Sequence, residues 1–202
     1  MTGFTSGKPP EQKTGTTTVG LVAGDGVVLA ADRRASVGGG RFVTNKDATK
    51  IEQVHPTAAL TIAGSVGGAQ SYLRSLRAET SLYENRRGEP MDVDALATMA
   101  SNMIRGLPVH PILAGVDATG PHLYTLDGGG GVMEDRYAAT GSGMQLAYGV
   151  LEGGANRDLT LAAAEDLALR AVESATERDT ASGNGATVAR ITGDGVTIEE
   201  IR

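Results

Sequence analysis

The stretch Gly15-Thr16-Thr17-Thr18-Val19-Gly20-Leu21-Val22-Ala23-Gly24-Asp25-Gly26-Val27-Val28-Leu29-Ala30-Ala31 decides how the rest of the chain is read. Residues 16–23 are rich in β-prone side chains. Gly24-Asp25-Gly26 carries turn chemistry, and residues 27–31 are β-prone again. This spacing predicts a β-hairpin that begins at Thr16. The segment before it is different in kind. Residues 1–15 are mostly Gly, Pro, Ser, Thr and Lys, and Met1 and Phe4 are their only sizeable apolar side chains. Such a segment cannot bury enough surface to offset the entropy of ordering it. It is either a floppy terminus or a leader removed behind Gly15.

Outward from the hairpin, strands come in runs and helices in pairs. Gly38-Gly39-Gly40 marks a loop, followed by a short strand over residues 41–44. Residues 58–63 form a continuous apolar run, as a strand buried on both faces would. Ala69, Leu73, Leu76, Thr80 and Tyr83 recur at helical spacing and end near Gly88, and Leu96, Met99, Met103 and Leu107 form a second stripe that stops before Pro108. Strands are expected over residues 112–116, 122–126 and 132–138. Helices follow over 145–153 and 161–178, then strands over 187–191 and 196–201 around a Gly193-Asp194-Gly195 turn. Strict β-α-β-α alternation is missing, so a doubly wound parallel sheet is disfavoured. Antiparallel sheets covered by helix pairs suit the pattern.

Composition narrows the function. A length of 202 residues suits one domain, and 40% hydrophobic residues suffice for a core. Aromatics are only 3%, so that core is built from Ala, Val, Leu and Ile and brings backbones close together. A net charge of −6 argues against a nucleic-acid or anionic membrane partner. Of 18 basic residues only Lys8, Lys13, Lys46 and Lys50 are lysines, a modest sign of a salty cytoplasm. The absence of cysteine removes disulfides, thiol catalysis and Cys-ligated zinc. His55, His110 and His122 show no metal-ligand spacing, and no cofactor is expected. With no apolar run long enough to span a bilayer and no signal-peptide core, a soluble cytoplasmic protein is expected. Neither G-x-G-x-x-G, H-E-x-x-H nor G-x-S-x-G occurs, and the lone Gly7-Lys8 pair has no Walker context.

The threonines behind Gly15 remain. Strand propensity alone would explain Thr16-Thr17-Thr18. If Thr16 becomes an N-terminus, however, one residue supplies both a hydroxyl nucleophile and an amine base with an ordinary pKa of about 7.7–8.0. No histidine is needed. The β-methyl stiffens χ1 and helps aim the hydroxyl.

At this point the chain resembles a known family. Lys13-Thr14-Gly15-Thr16-Thr17-Thr18-Val19-Gly20, Ala31-Asp32-Arg33-Arg34-Ala35-Ser36 and Thr61-Ile62-Ala63-Gly64-Ser65-Val66-Gly67 are similar to archaeal proteasome β-type subunits. Ala139-Thr140-Gly141-Ser142-Gly143, Tyr148-Gly149-Val150-Leu151-Glu152 and Arg178-Asp179-Thr180-Ala181-Ser182-Gly183 continue the likeness in order. The resemblance implies an α+β fold, a four-layer α-β-β-α sandwich of two antiparallel sheets known as the N-terminal-nucleophile hydrolase fold. It implies a threonine endopeptidase with residues 1–15 as a propeptide removed by autocleavage and 16–202 as a single catalytic domain.

The resemblance also assigns roles. Thr16 is the nucleophile, freed at the Gly15–Thr16 processing site. Asp32 pairs with Lys50, whose cation beside Thr16 favours the neutral amine; for both, an ordinary ion pair is the plain alternative. The Gly38-Gly39-Gly40 loop is longer than the family pattern. Lys46 therefore competes for the lysine's place, although Lys50-Ile51 precedes a strand as the family's lysine does. Gly64 offers its N–H to the oxyanion, and Ser142, Asp179 and Ser182 surround the Thr16 amine. Ser36 pairs with an extended peptide as an added strand. Ala35, Ala48, Ile62 and Val66, with Glu52 and Gln70, fall at the first specificity pocket, where core packing would explain Ile62 and Val66 about equally well. The implied partners are a homo- or hetero-heptameric β ring, proteasome α subunits, a regulatory ATPase and unfolded polypeptide substrates. A non-catalytic ring member and the simpler bacterial two-component peptidase are the alternatives. The blocks around Asp32 and Asp179 favour the proteasome over the latter.

Overall fold

The computed structural model describes residues 15–155 and 158–201. Of the expected leader, residues 1–14 lie outside the described residues. The hairpin forms as its sequence dictates. β1 (Thr17–Val22) and β2 (Val27–Asp32) run antiparallel with Thr18 opposite Ala31. Four more strands follow, β3 (Ala35–Val37), β4 (Phe42–Asn45), β5 (Ile51–His55) and β6 (Ala58–Thr61). Next come α1 (Val66–Arg87) and α2 (Val93–Met103), then β7 (Ile112–Asp117), β8 (Gly120–Leu126), β9 (Val132–Glu134) and β10 (Tyr137–Gly141). The chain continues through α3 (Met144–Gly154) and α4 (Leu161–Thr176) to β11 (Ala186–Thr192) and β12 (Gly195–Ile201).

Two five-stranded antiparallel sheets result, ordered β10-β1-β2-β11-β12 and β5-β6-β7-β8-β9, with β3 and β4 as a separate hairpin. Alternation along β2 explains the layering. Val27, Leu29 and Ala31 join Ile51, Ala59, Ile112, Leu123 and Ile191 in an apolar layer shared by the sheets. Val28 and Ala30 instead pack with Ala147, Leu151, Ala164, Leu167, Ala168 and Ala171 of α3 and α4. A third cluster joins α1 and α2 to the outer face of the other sheet through Leu73, Leu76, Leu96, Leu60 and Leu113. The order is helix pair, sheet, sheet, helix pair, which is the four-layer sandwich.

Local chemistry sets the helix ends. The Ser65 side chain accepts the Gly68 N–H at the start of α1, and Gly88 closes it in a left-handed conformation at φ 75°. Thr160 caps α4 by accepting the Ala163 N–H. The alanines of α4 keep that helix close to β1 and β2, as the scarcity of aromatics requires. Of the expected strand over residues 58–63, residues 58–61 form β6 and are buried throughout, whereas Ile62 lies beyond the strand and is half-buried.

The structure departs from the expected elements in several places: residues 35–37 form β3, which the pattern does not predict, and α2 stops at Met103, short of Leu107. β5 is implied only by the resemblance, which puts a strand after Lys50-Ile51; the residue pattern does not show it, because three of Ile51-Glu52-Gln53-Val54-His55 are polar and Ile51 and Val54 become core through pairing with β6. Residues 132–138 are not one strand. β9 ends one sheet and β10 begins the other, and the charged Glu134-Asp135-Arg136 corner carries the chain across.

Leu123 illustrates how the sheets fit. It is fully buried, and a Cβ on Gly20 of β1 would stand 2.6 Å from its Cδ1. Leu123→Ala is therefore expected to open a cavity between the sheets and cost about 2–5 kcal/mol. The shift in the urea unfolding midpoint measures it.

Candidate active site

Antiparallel ladders deliver the site residues to one end of the sandwich. The β1–β2 register brings the start of β1 beside Asp32 at the end of β2. β10 pairs Gly141 with Thr17, which sets Ser142 next to Thr16. β11 pairs Ala186 with Asp32, so the 178–185 loop arrives at the same end. From the second sheet, Lys50 stands just before β5, and the Ile62 N–H bonds the Lys50 carbonyl at 2.7 Å.

Asp32 is the hub, with no solvent exposure. Its Oδ1 accepts from Thr16 Oγ1 at 3.0 Å, the Thr17 N–H at 2.8 Å and Lys50 Nζ at 2.6 Å. Its Oδ2 accepts the N–H groups of Arg34 at 3.0 Å and Gly183 at 2.8 Å. Burial lowers the pKa of Lys50 below its ordinary 10.5, while the Asp32 charge and hydrogen bond pull it back up. Lys46, the competing lysine, is exposed, whereas Lys50 is buried against Asp32.

A second network meets the Thr16 backbone. The Thr16 N–H donates to Ser142 Oγ at 3.1 Å. Ser142 Oγ and Ser182 Oγ both bond Asp179 Oδ2, at 2.6 and 2.7 Å. Six of the residues singled out in the sequence (Thr16, Asp32, Lys50, Ser142, Asp179 and Ser182) are thus joined by hydrogen bonds. Gly64 lies two residues beyond Ile62 at φ 113°, in an isolated antiparallel bridge to Val109. A Cβ there would overlap the Pro108 carbonyl oxygen, so this backbone requires glycine for structural reasons as well.

The expected substrate residues are placed less uniformly. Ser36 is buried, donates from Oγ to the Ala181 carbonyl at 3.2 Å, and forms an antiparallel bridge with Gly15. Ala35, Ala48 and Ile62 are half-buried, and Ile62 packs against the α1–α2 core. Val66 is 53% exposed at the first turn of α1, so core packing does not account for it. Glu52 is tied to Arg77 of α1 at 2.6 Å, and Gln70 is exposed.

The family follows from comparison with known proteins. A family model described as proteasome subunit matches residues 12–191. The chain belongs to the proteasome subunit family. It is 62% identical over 191 residues to a protein of Halorhabdus utahensis named proteasome subunit beta, a match covering 93% of this chain and 81% of that one. It is 60% identical to proteasome subunit beta 2 of Haloterrigena turkmenica, with 93% and 80% covered. A proteasome subunit beta of Halobacterium salinarum is 57% identical, with 95% and 80% covered.

Sequence reasoning missed several parts of the site. The Arg34 and Gly183 amides on Asp32 carry no side-chain signal. The hydroxyl triplet of buried Thr18 and Thr61 with half-buried Thr140 was also missed. Thr18 Oγ1 reaches Thr61 at 3.1 Å across the sheets and Thr140 at 2.7 Å. Strand alternation within Thr16-Thr17-Thr18 was the available clue, because it sends neighbouring threonines to opposite faces. Among the described residues, no group of three or more His, Asp and Glu could hold a metal, and no helix is long and apolar enough to cross a membrane.

Proposed function

We propose that the chain is a catalytic β subunit of a proteasome core particle. It is a threonine endopeptidase that frees Thr16 by its own cleavage and then cuts unfolded polypeptides into peptides. The observation that carries this reading is the buried meeting of Thr16 Oγ1 and Lys50 Nζ on one oxygen of Asp32. Thr16 has its hydroxyl on a carboxylate and a lysine of lowered pKa in the same cluster. These are the parts needed to remove a hydroxyl proton. The alternative, a structural ring subunit, leaves this assembly without a purpose.

In the precursor, Thr16 Oγ1 attacks the Gly15 carbonyl carbon. Its proton leaves through the Asp32–Lys50 cluster, the C–N bond breaks, and the nitrogen takes a proton. Residues 1–15 are then held as an ester on Thr16 until water hydrolyses it. The new α-amine is the general base for substrates. The Lys50 cation holds it towards the neutral form. Attack on a peptide carbonyl gives an acyl-enzyme and an amine product, and water completes the turnover. In this reading Gly64 is the oxyanion donor, one such N–H being worth about 10²–10³ in rate.

The Gly15–Ser36 bridge supports binding of extended chains along Ser36. Gly15 itself is closely confined. A Cβ there would overlap the Ala181 Cβ and lie 3.1 Å from Ser142 Oγ. Gly15→Ala is therefore expected to slow leader removal by at least about tenfold, since even 1.4 kcal/mol of strain has that effect. A time course of intact mass reads it.

Assembly follows the family. The chain takes its place in a homo- or hetero-heptameric β ring against α subunits, with a regulatory ATPase feeding unfolded polypeptide in the cytoplasm. Residues 1–15 are the propeptide and 16–202 the catalytic domain. Intact mass of the protein, alone and with an α subunit, tests the reading. Loss of residues 1–15 on assembly, with a threonine-reactive inhibitor mapped to Thr16, is the expected result. A full-length chain that persists in assembled rings would instead make it a structural subunit.

A further inference from the structure

The Thr17 side chain has no part in the scheme above, yet it is fully buried beside the catalytic cluster. Its Oγ1 lies 2.8 Å from Ser182 Oγ. The space is built around it. A Cβ on Gly143 would overlap Thr17 Oγ1, so the bare glycine leaves room for this hydroxyl. Gly143 also donates its N–H to the Thr16 carbonyl at 3.3 Å.

Counting protons sets the direction of these bonds. A serine hydroxyl has one proton to give. Ser182 Oγ is 2.7 Å from Asp179 Oδ2 and Ser142 Oγ is 2.6 Å from the same oxygen. Charge-assisted bonds to a carboxylate outcompete neutral ones, so both serines donate to Asp179. Ser142 is then left as the acceptor of the Thr16 N–H, and Ser182 as the acceptor of the Thr17 hydroxyl. One polarised chain results, running from Thr17 through Ser182 to Asp179 and from Thr16 nitrogen through Ser142 to the same oxygen. Bonds in such a chain strengthen one another.

We infer that Thr17 is a positioning residue for the protease reaction: its buried hydroxyl donates to Ser182 and thereby holds the Ser182–Asp179–Ser142 chain in the orientation that keeps the Thr16 nitrogen donating to Ser142. The inference rests on the threonine-protease reading. With its N–H committed to Ser142, the freed amine keeps its lone pair for the Thr16 hydroxyl proton. Removing the Thr17 hydroxyl frees a lone pair on Ser182 and lets that serine rotate, and the two serines then no longer share Asp179 in a fixed way. The charges that act on Lys50 are Asp32 at the end of β2, Arg34 just beyond it, and Asp179 after α4. Thr17 holds Asp32 only through its backbone N–H, which a side-chain change leaves in place.

The test uses matured, assembled protein and a peptide with a fluorogenic amide leaving group. Thr17→Val is close in volume and lacks the hydroxyl. It is expected to lower kcat about tenfold, the order of one buried hydrogen bond, with KM unchanged. Thr17→Ser is expected to restore kcat. In a Ser182→Ala background, Thr17→Val should add no further loss, because the two act in one chain. Undiminished kcat in Thr17→Val, a loss confined to KM, failure of Thr17→Ser to rescue, or losses that multiply with Ser182→Ala would each overturn the inference. Wild-type protein that sheds its leader but turns over no peptide would overturn the protease reading, and this inference with it.

Discussion

Thr16→Ala is expected to leave residues 1–15 attached and to reduce peptide hydrolysis to background. The chemistry is lost twice over. Alanine has no hydroxyl to attack Gly15, so no free amine is formed, and it has none to attack a substrate. The expected loss is at least about 10⁴-fold, the scale seen when a nucleophile is deleted from a catalytic unit. The fold should survive. Asp32 Oδ1 keeps the Thr17 amide and Lys50, and one neutral hydrogen bond is worth only about 1 kcal/mol. Intact mass and peptide turnover, measured together with a melting curve, separate these outcomes. Thr16→Ser keeps hydroxyl and amine but loses the β-methyl that stiffens χ1, so it should process and cleave more slowly. A Thr16→Ala protein that sheds its leader and still cleaves peptides would refute the mechanism.

Lys50 carries the second large effect. Lys50→Ala leaves the Asp32 carboxylate buried with no cation, and breaking a buried pair in this way costs about 3–5 kcal/mol. Processing and turnover should fail with it. A gentler measurement uses pH on the unaltered protein. Burial puts the Lys50 pKa below 10.5, so the cation is lost as pH rises through that lowered value. The kcat/KM profile should therefore fall on its alkaline side before pH 10.5. Stability moves the other way. Between the folded pKa and 10.5 the unfolded chain holds more protons on this lysine than the folded one, so this group alone makes stability rise with pH. Alkaline inactivation should thus be reversible and precede unfolding, as a comparison of the activity profile with melting temperatures will show. Activity that stays flat until the protein unfolds would remove Lys50 from the reaction.

Much of the fold was legible because its signals are local. The hairpin from Thr16 rests on β-branched runs around Gly24-Asp25-Gly26, and α1 and α4 rest on apolar spacing with Ser65, Gly88 and Thr160 at their ends. β5 was legible only through the resemblance, since a strand of mixed polarity gains its apolar burial from the partner that pairs with it. The split of residues 132–138 was hidden for a related reason. Its side chains favour extended backbone throughout, and only the position of two separate sheets decides where one strand stops.

The Thr16 cluster divides in the same way. Residue types alone made the groups available: a Gly-Thr junction, no cysteine, few histidines, Asp32 and Asp179 in blocks that resemble one family, and Lys50 ahead of a strand. The sequence favoured Lys50 over Lys46 only through the resemblance, and it found no use for Thr17. Tertiary structure decided both. Two antiparallel sheets bring residues far apart in the chain to a single end, and there burial leaves Lys50 on Asp32 and Lys46 in solvent. Thr17 acquired a partner because strand alternation turns it away from Thr18, towards Ser182, a residue 165 positions away. A hydroxyl's worth depends on what its single proton meets, and that is a property of packing rather than of residue type.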